Sequence, residues 1–303
     1  MTEQFDDLAC LAPKNLFTKA IEASDENDFT NLLIVDVLNT AFRYKARGQY
    51  IFAEDMVAMI KSLAKSYQCK DIVVCGDWGS SAYRKDIFPE YKANRKEKYA
   101  NQSEAEKLAS EQFFAGLDEC YRRLDEEFVL LRLKNTEADD LIAYTVKHFE
   151  NSVEYDKIWI ISTDRDLCQM LSYTTSQFAY TSRKEYTMNT FYDQLGFDTP
   201  EEYSIFKAIT GDSGDNIPTA AEDCGPKRTY SIVRGMTHVM DLIDILPLPG
   251  KQKYIQRLNA GEQDIMRNWE LTNLREFCEI AINFPDETNL TKVNEKLDGL
   301  SKK

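Results

Sequence analysis

The strongest local signal in the chain is the run Asn31-Leu32-Leu33-Ile34-Val35-Asp36, apolar at every interior position and closed by an acid. A run without alternation predicts a strand buried on both faces of a parallel sheet. Similar runs recur at Asp71–Asp77, Phe128–Leu133 and Lys157–Asp164. Helical periodicity separates the strands, within Val37–Arg47 and across Ala53–Tyr67. This alternation predicts an α/β fold: a mainly parallel central sheet flanked by helices. Phe178–Thr181 and Glu185–Met188 predict a small hairpin at its edge. From about Asn189 onward the strands stop. Helices are expected over Pro200–Ile209, Pro226–Val233, Val239–Ile245 and Lys251–Leu258. The division expected is an extension of unknown role at 1–30, an α/β core at 31–195 and a helical region at 196–303. Within the extension, Pro13–Glu22 could form a short amphipathic helix.

Composition narrows the chemistry. With 43% apolar residues in 303, a sizeable core is expected and general disorder is not. Seven cysteines are scattered, odd in number and without a C-x-x-C pair, which points to buried thiols in a reducing cytosol. Only His148 and His238 are present, so histidine-centred catalysis has little material. No apolar run is long enough to span a bilayer, and the acidic start Met1–Asp7 lacks the order of a signal peptide. The net charge of −14 counts against nucleic-acid binding unless bases are concentrated locally.

Acids are concentrated too. Three of the four main strands end in aspartate, at Asp36, Asp77 and Asp164. Ligands of open α/β sheets bind outside the carboxyl ends of strands. Glu137, Asp139 and Asp140 open a predicted helix, and Asp166 extends the group at Asp164. Singly, each has a structural explanation: Thr136 could cap the helix, acids suit its first turn, and a strand-ending aspartate caps a turn. Together they would repel unless divalent cations sit among them. Asp212 and Asp215 lie three apart in Gly211–Asn216, so one helical turn would put them on one side; a surface loop is the plain alternative.

The segment Tyr83–Lys98 carries six bases against three acids, with Tyr83, Phe88, Tyr91 and the following Tyr99 interleaved. Bases with aromatics suit single-stranded nucleic acid; a solvated helix with inward tyrosines is the alternative. The segment also makes the link between the second and third strands unusually long, which favours a helical excursion over the active face. Lys227, Arg228 and Arg234 form a second basic patch, and Lys251, Lys253 and Arg257 a third.

Taken together, these pieces resemble the 5′-nuclease (PIN-like) superfamily, and most closely its bacteriophage-type flap endonucleases, or 5′–3′ exonucleases. The resemblance rests on Ile34-Val35-Asp36 with Asn39 and Arg43, Gly76-Asp77, Pro89–Arg95, Glu137–Asp140, Ser162–Asp166, Gly211–Asn216 and Pro247–Tyr254. It implies a metal-dependent, structure-selective nuclease acting on DNA flaps and single-stranded 5′ ends during replication. RNA primers and RNA–DNA hybrids are further implied substrates, and the products would be a 5′-phosphate and a 3′-hydroxyl. It implies two or more Mg²⁺ ions, with Mn²⁺ able to substitute. Asp36, Asp77, Glu137, Asp139 and Asp140 would serve one metal site, and Asp164, Asp166, Asp212 and Asp215 the other. Lys92 and Arg95 would act at the scissile phosphate, with Asp139 and Asp164 as the central catalytic acids. The implied helical arch lies at about 84–112. Arg43, Arg84, Tyr91, Lys227 and Arg228 would contact DNA, with Tyr91 stacking on a base. Asn216–Val233 would grip duplex phosphates and hold a K⁺ ion. A cytoplasmic monomer, in a bacterial host if phage-encoded, follows by the same resemblance, with replication proteins as partners and no membrane. The chain departs from the family pattern at Val37, where glycine is usual, and at Thr219–Pro226, where a Gly-rich loop is replaced by TAAEDCGP. Acids there are expected to weaken duplex binding or to turn the loop away. Two other readings stand beside this one. A related ribonuclease on single-stranded RNA fits poorly with the long basic insertion. A non-catalytic DNA-binding replication protein fits poorly with nine retained acids.

Overall fold

The computed structural model describes residues 29–300, apart from the side chains of residues 96–98. The helix expected at Pro13–Glu22, and nearly all of the 1–30 extension, lie outside the described residues. Six strands form one sheet: β1 (Asn31–Asp36), β2 (Cys69–Gly76), β3 (Val129–Arg132), β4 (Ile158–Ile161), β5 (Thr175–Ala179) and β6 (Lys184–Tyr186). Their order is β3-β2-β1-β4-β5-β6, parallel except for the β5–β6 hairpin. The order reverses between β1 and β4, and such a switch opens a crevice beyond the strand ends.

The unbroken apolar run of β1 reflects a three-layer fold. Leu32 and Ile34 pack on one side, against Leu141, Ile142 and Val146 of helix α6 (Ala138–Phe149). Leu33 and Val35 face the other side, against helices α1 (Val37–Lys45), α2 (Ala53–Ser66) and α5 (Glu104–Glu127). Burying a Leu or Ile side chain contributes about 1.5–3 kcal/mol, so this central strand anchors both layers.

Between β2 and β3 the chain makes the expected helical excursion: α3 (Ala82–Ile87), α4 (Ala93–Ala100) and the long α5, which starts at a Ser103/Glu106 capping box. After β6 come α7 (Phe191–Leu195), α8 (Pro200–Thr210), α9 (Pro226–Val233), α10 (Val239–Ile243), α11 (Lys253–Ala260), α12 (Glu262–Thr272), α13 (Leu274–Asn283) and α14 (Asn289–Asp298). The C-terminal helices do not form a separate core. Leu274, Cys278, Ile282, Val293 and Leu297 return to the sheet layer and pack with α6. A third cluster, from Cys168 to Trp269, holds α8 to α12 together. A boundary at 196 therefore marks the end of the strands and not a division of cores. No helix among the described residues is long and apolar enough to cross a membrane.

Candidate active site

The carboxyl ends of β1, β2 and β4 and the start of α6 meet at the switch point. Asp36 ends β1 and caps α1, accepting from the Asn39 amide at 3.1 Å and from Ser162 Oγ at 2.9 Å. Asp77 follows β2 and accepts from the Ala138 amide at 3.0 Å. The first turn of α6 is thus capped from a neighbouring strand and not by Thr136, whose hydroxyl has no partner. Glu137 holds the N-cap position, with Asp139 and Asp140 in the first turn. Asp164 accepts from the Asp166 amide at 2.9 Å, and buried Gln177 donates to the Ser162 and Asp164 carbonyls at 2.9 and 2.6 Å.

Cations divide these acids. Lys92 Nζ lies 2.6 Å from Glu137 and 3.5 Å from Asp215, and Arg95 lies 2.7 Å from Asp215. Lys207, which the sequence reading missed, sits 2.9 Å from both Asp166 and Asp212. Asp36, Asp77, Asp139 and Asp164 form no ion pair with the described lysines and arginines. The protonation tendencies follow this division. Burial and then Asp77 push the Asp36 carboxyl up to about 8. Burial, followed by Asp164, Asp36 and Asp77, pushes Asp139 well above the usual range, and burial also raises Asp77. Burial opposes ionisation of Glu137 too, but Lys92 and then Arg84 outweigh it and hold that carboxyl at about 2.

Several expected roles need correction. Arg84 is 2% exposed and cannot reach DNA. It forms a two-pronged pair with Asp140 at 2.7 and 2.8 Å, and its Nε donates to the Leu271 carbonyl at 2.8 Å. Asp140, fully buried in that pair on the same side of α6 as Glu137, is not free to serve a metal directly. Tyr91 is 3% exposed and packs with Ile217 and Leu271, so its ring is closed to a base; its hydroxyl is 2.8 Å from Glu137. Asp212 and Asp215 do not share one helical turn. A two-residue bridge from Asp212 to Ile217 shapes that loop, and Asp215 joins Lys92 and Arg95 while Asp212 joins Lys207.

Arg43 lays its guanidinium over the Tyr180 and Tyr44 rings, 4.2 and 4.9 Å from the centroids. Lys227 and Arg228 are exposed at the start of α9. The acids of the altered loop are held by Arg257, which lies 2.9 Å from Glu222 and 2.5 Å from Asp223. Lys92 itself has a left-handed backbone, φ +57°, fixed by its amide donating to the Asp215 carbonyl at 2.9 Å. A lysine in that region costs on the order of 1–3 kcal/mol, strain of the kind found at functional sites.

The donor set fits divalent cations. Its members are carboxylate oxygens, which suit hard ions such as Mg²⁺ and Mn²⁺. Burial raises the proton affinity of Asp36, Asp77 and Asp139, and neighbouring carboxylates add to it. Among the described residues no three acids, histidines or cysteines stand close enough to enclose an ion by themselves. Mg²⁺ keeps several waters and needs only one or two direct carboxylates, so hydrated ions match this open arrangement.

A family model for the 5′-3′ exonuclease N-terminal resolvase-like domain matches residues 31–196. The flap endonuclease of Escherichia phage T5 is 44% identical over 253 residues, covering 83% of this chain and 86% of that protein. A 5′-3′ exonuclease of Bacillus subtilis is 28% identical over 242 residues, covering 78% of this chain and 76% of the relative. In structure, the phage T5 flap endonuclease in a complex with DNA and metal ions superposes with a TM-score of 0.86 at 41% identity, over 90% of this chain and all of the other. The T5 5′-exonuclease with bound zinc gives 0.84 at 42% identity, over 88% and 98%.

Proposed function

This chain belongs to the 5′-3′ exonuclease family and is a structure-selective 5′ nuclease acting on DNA; we propose that it hydrolyses phosphodiester bonds at 5′ flaps and single-stranded 5′ ends with Mg²⁺, for which Mn²⁺ substitutes. The observation that carries this reading is the group Asp36, Asp77, Asp139 and Asp164, four carboxylates without a cationic partner at the mouth of the sheet. These four would hold the cations. Glu137, Asp166, Asp212 and Asp215 are available through water once Lys92 and Lys207 exchange partners. Bound divalent ions supply charge neutralisation at the phosphate and lower the pKa of water.

The chain's own residues do the rest. Asp77 fixes the first turn of α6 and with it the direction of Asp139. Ser162 and Asn39 hold Asp36 at the strand end. Lys92 and Arg95, paired in the free chain with Glu137 and Asp215, are drawn toward an entering phosphodiester and offset the charge that develops on its oxygens. No side chain has to become a covalent nucleophile, and the products are a 5′-phosphate and a 3′-hydroxyl.

The phage T5 relative is named a flap endonuclease and has been captured with DNA and metal ions, which supports the flap as substrate and divalent ions as cofactors. RNA primers, a K⁺ ion near Asn216–Val233, replication proteins as partners and action as a monomer in a bacterial host's cytoplasm complete the proposal. The test is a 5′-labelled flap duplex incubated with Mg²⁺, Mn²⁺ or EDTA, beside Asp164→Asn and an unstructured RNA. Cutting near the junction that needs a divalent ion and is lost in the variant is expected. Equal cutting in EDTA, or by the variant, refutes the metal-site reading; preference for the RNA refutes the substrate.

A further inference from the structure

A cleft of about 370 Å³ opens beside Asp77, and the acids and bases described above do not account for all of its lining. Trp78, in the loop directly after β2, lines the cleft and is half exposed. Its side chain is not needed to shape that loop. The Trp78 backbone does so, donating to the Thr136 carbonyl at 3.3 Å and accepting from the Asn135 amide at 2.7 Å. Tyr121 lines the cleft from α5, is 3% exposed, and has a hydroxyl without any hydrogen-bond partner. Its buried ring backs the cleft wall beneath Arg132 and is not itself open to a ligand.

Arg132 joins the two rings. Its guanidinium carbon is 3.9 Å from the Tyr121 centroid and 5.4 Å from that of Trp78. Its Nε donates to the Asp77 carbonyl at 3.1 Å, which ties the stack to the strand end carrying a candidate catalytic acid. Its only ion pair among the described residues, to exposed Asp118, is long at 3.5 Å. Lys92 and Arg95 line the same cleft. A solvent-facing indole, a guanidinium layered on it and two further cations suit a flat, negatively tethered ligand. A nucleotide of a single strand has that chemistry, because bases stack on aromatic faces and phosphates seek cations.

We infer that this cleft is a nucleotide subsite, in which one unpaired base of the 5′ strand stacks on Trp78 and Arg132. The inference rests on the nuclease reading and names a contact through which the single strand is held. Because Tyr91 is buried, Trp78 takes over the stacking role expected of it.

The experiment is fluorescence anisotropy in EDTA with two labelled DNA duplexes, one blunt and one with a short 5′ single-stranded arm. Trp78→Ala should weaken binding of the arm-bearing duplex on the order of 5- to 150-fold, the range set by losing one base–aromatic stack. The blunt duplex should change by less than about twofold, since it presents no unpaired base. Trp78→Phe should restore most of the affinity. Abasic replacement of the arm should reproduce the loss in the wild type and add nothing in Trp78→Ala. Wild-type affinity in Trp78→Ala, or equal loss on both duplexes, overturns the subsite. If the wild type still cuts flaps in Mg²⁺, only the subsite falls; if it cuts in neither Mg²⁺ nor Mn²⁺, the reading beneath it falls as well.

Discussion

Asp139 and Asp140 are neighbours with opposite surroundings, and substituting each separates chemistry from structure. Asp140 accepts two hydrogen bonds from Arg84, and both side chains are essentially inaccessible. In Asp140→Asn, Arg84 stays charged and buried, with one amide oxygen and Glu137 at 3.7 Å as its nearest compensation. Removing one partner of a buried ion pair costs about 3–5 kcal/mol. Glu137 is already held by Lys92, so it recovers only part of this, and a net loss of about 2–4 kcal/mol is expected. That corresponds to a fall in Tm on the order of 4–15 °C. Replacing both partners, Arg84→Met with Asp140→Leu, leaves no stranded charge and should recover most of the stability. The assay is thermal and urea unfolding in EDTA, with flap cleavage measured below every melting transition. Asp140→Asn should be unstable yet cleave within a few-fold of wild type. Asp139→Asn should be as stable as wild type, or more so, because it relieves repulsion from Asp164, Asp36 and Asp77, and should lose cleavage. An Asp140→Asn variant of wild-type stability that cannot cleave would make Asp140 a cation ligand and refute this reasoning.

Other consequences are checked more simply. Lys92→Met should lower turnover on the order of 100-fold with a smaller effect on flap affinity, because its contribution is to charge that develops during reaction; equal losses in both would make it a steering residue. Lys207→Met leaves the partly exposed Asp166 and Asp212 without their shared cation, so its Tm should fall in EDTA and recover with Mg²⁺ or Mn²⁺; the same deficit in both buffers counts against a cation beside those acids. Glu222→Gln with Asp223→Asn, the asparagine chosen for the φ of +67°, releases Arg257 and should tighten duplex binding by about three- to tenfold at low salt. Flap binding should weaken as salt rises despite the net charge of −14, since the contacts are local; salt-independent affinity would remove the proposed basic surfaces.

The sheet was legible because its signal is local. The apolar runs gave the four main strands with ends within about two residues at most positions, and the helices at Val37, Ala53, Pro200 and Pro226 start where expected. The hairpin was displaced by three residues at its first strand, since Thr175, Ser176 and Gln177 are buried polar residues that a hydrophobic pattern cannot detect. The return of α13 and α14 to the sheet layer was not legible either. An amphipathic helix reveals that it has an apolar face, but not which of two layers that face will cover. Trp78 shows the same limit from the other side: next to Asp77 it reads as one more residue of a strand end, and its exposure appears only once α5 forms the opposite wall.

For the acids, spacing found the positions and misread some of the partners. Lys207 lies on α8, five residues before Asp212 and far from Asp166 in sequence, so their shared cation is a product of folding. Arg84 looked like part of a basic DNA-binding run because its neighbours are basic, whereas its burial follows from α3 packing against α12, where Leu271 accepts from it. The division within Glu137–Asp140, however, was available from helix geometry alone. Residues three apart share a face, and adjacent residues point about 100° apart. Glu137 and Asp140 therefore belong on one side of α6 with Asp139 on another. They do share a side: both approach the Arg84 guanidinium, at 3.7 and 2.7 Å. Asp139, turned from them, is the acid whose strongest charged neighbours are Asp164, Asp36 and Asp77. Three carboxylates within four residues are thus two populations, one neutralised by arginine and lysine and one left for a divalent ion, and the helical repeat is what separates them.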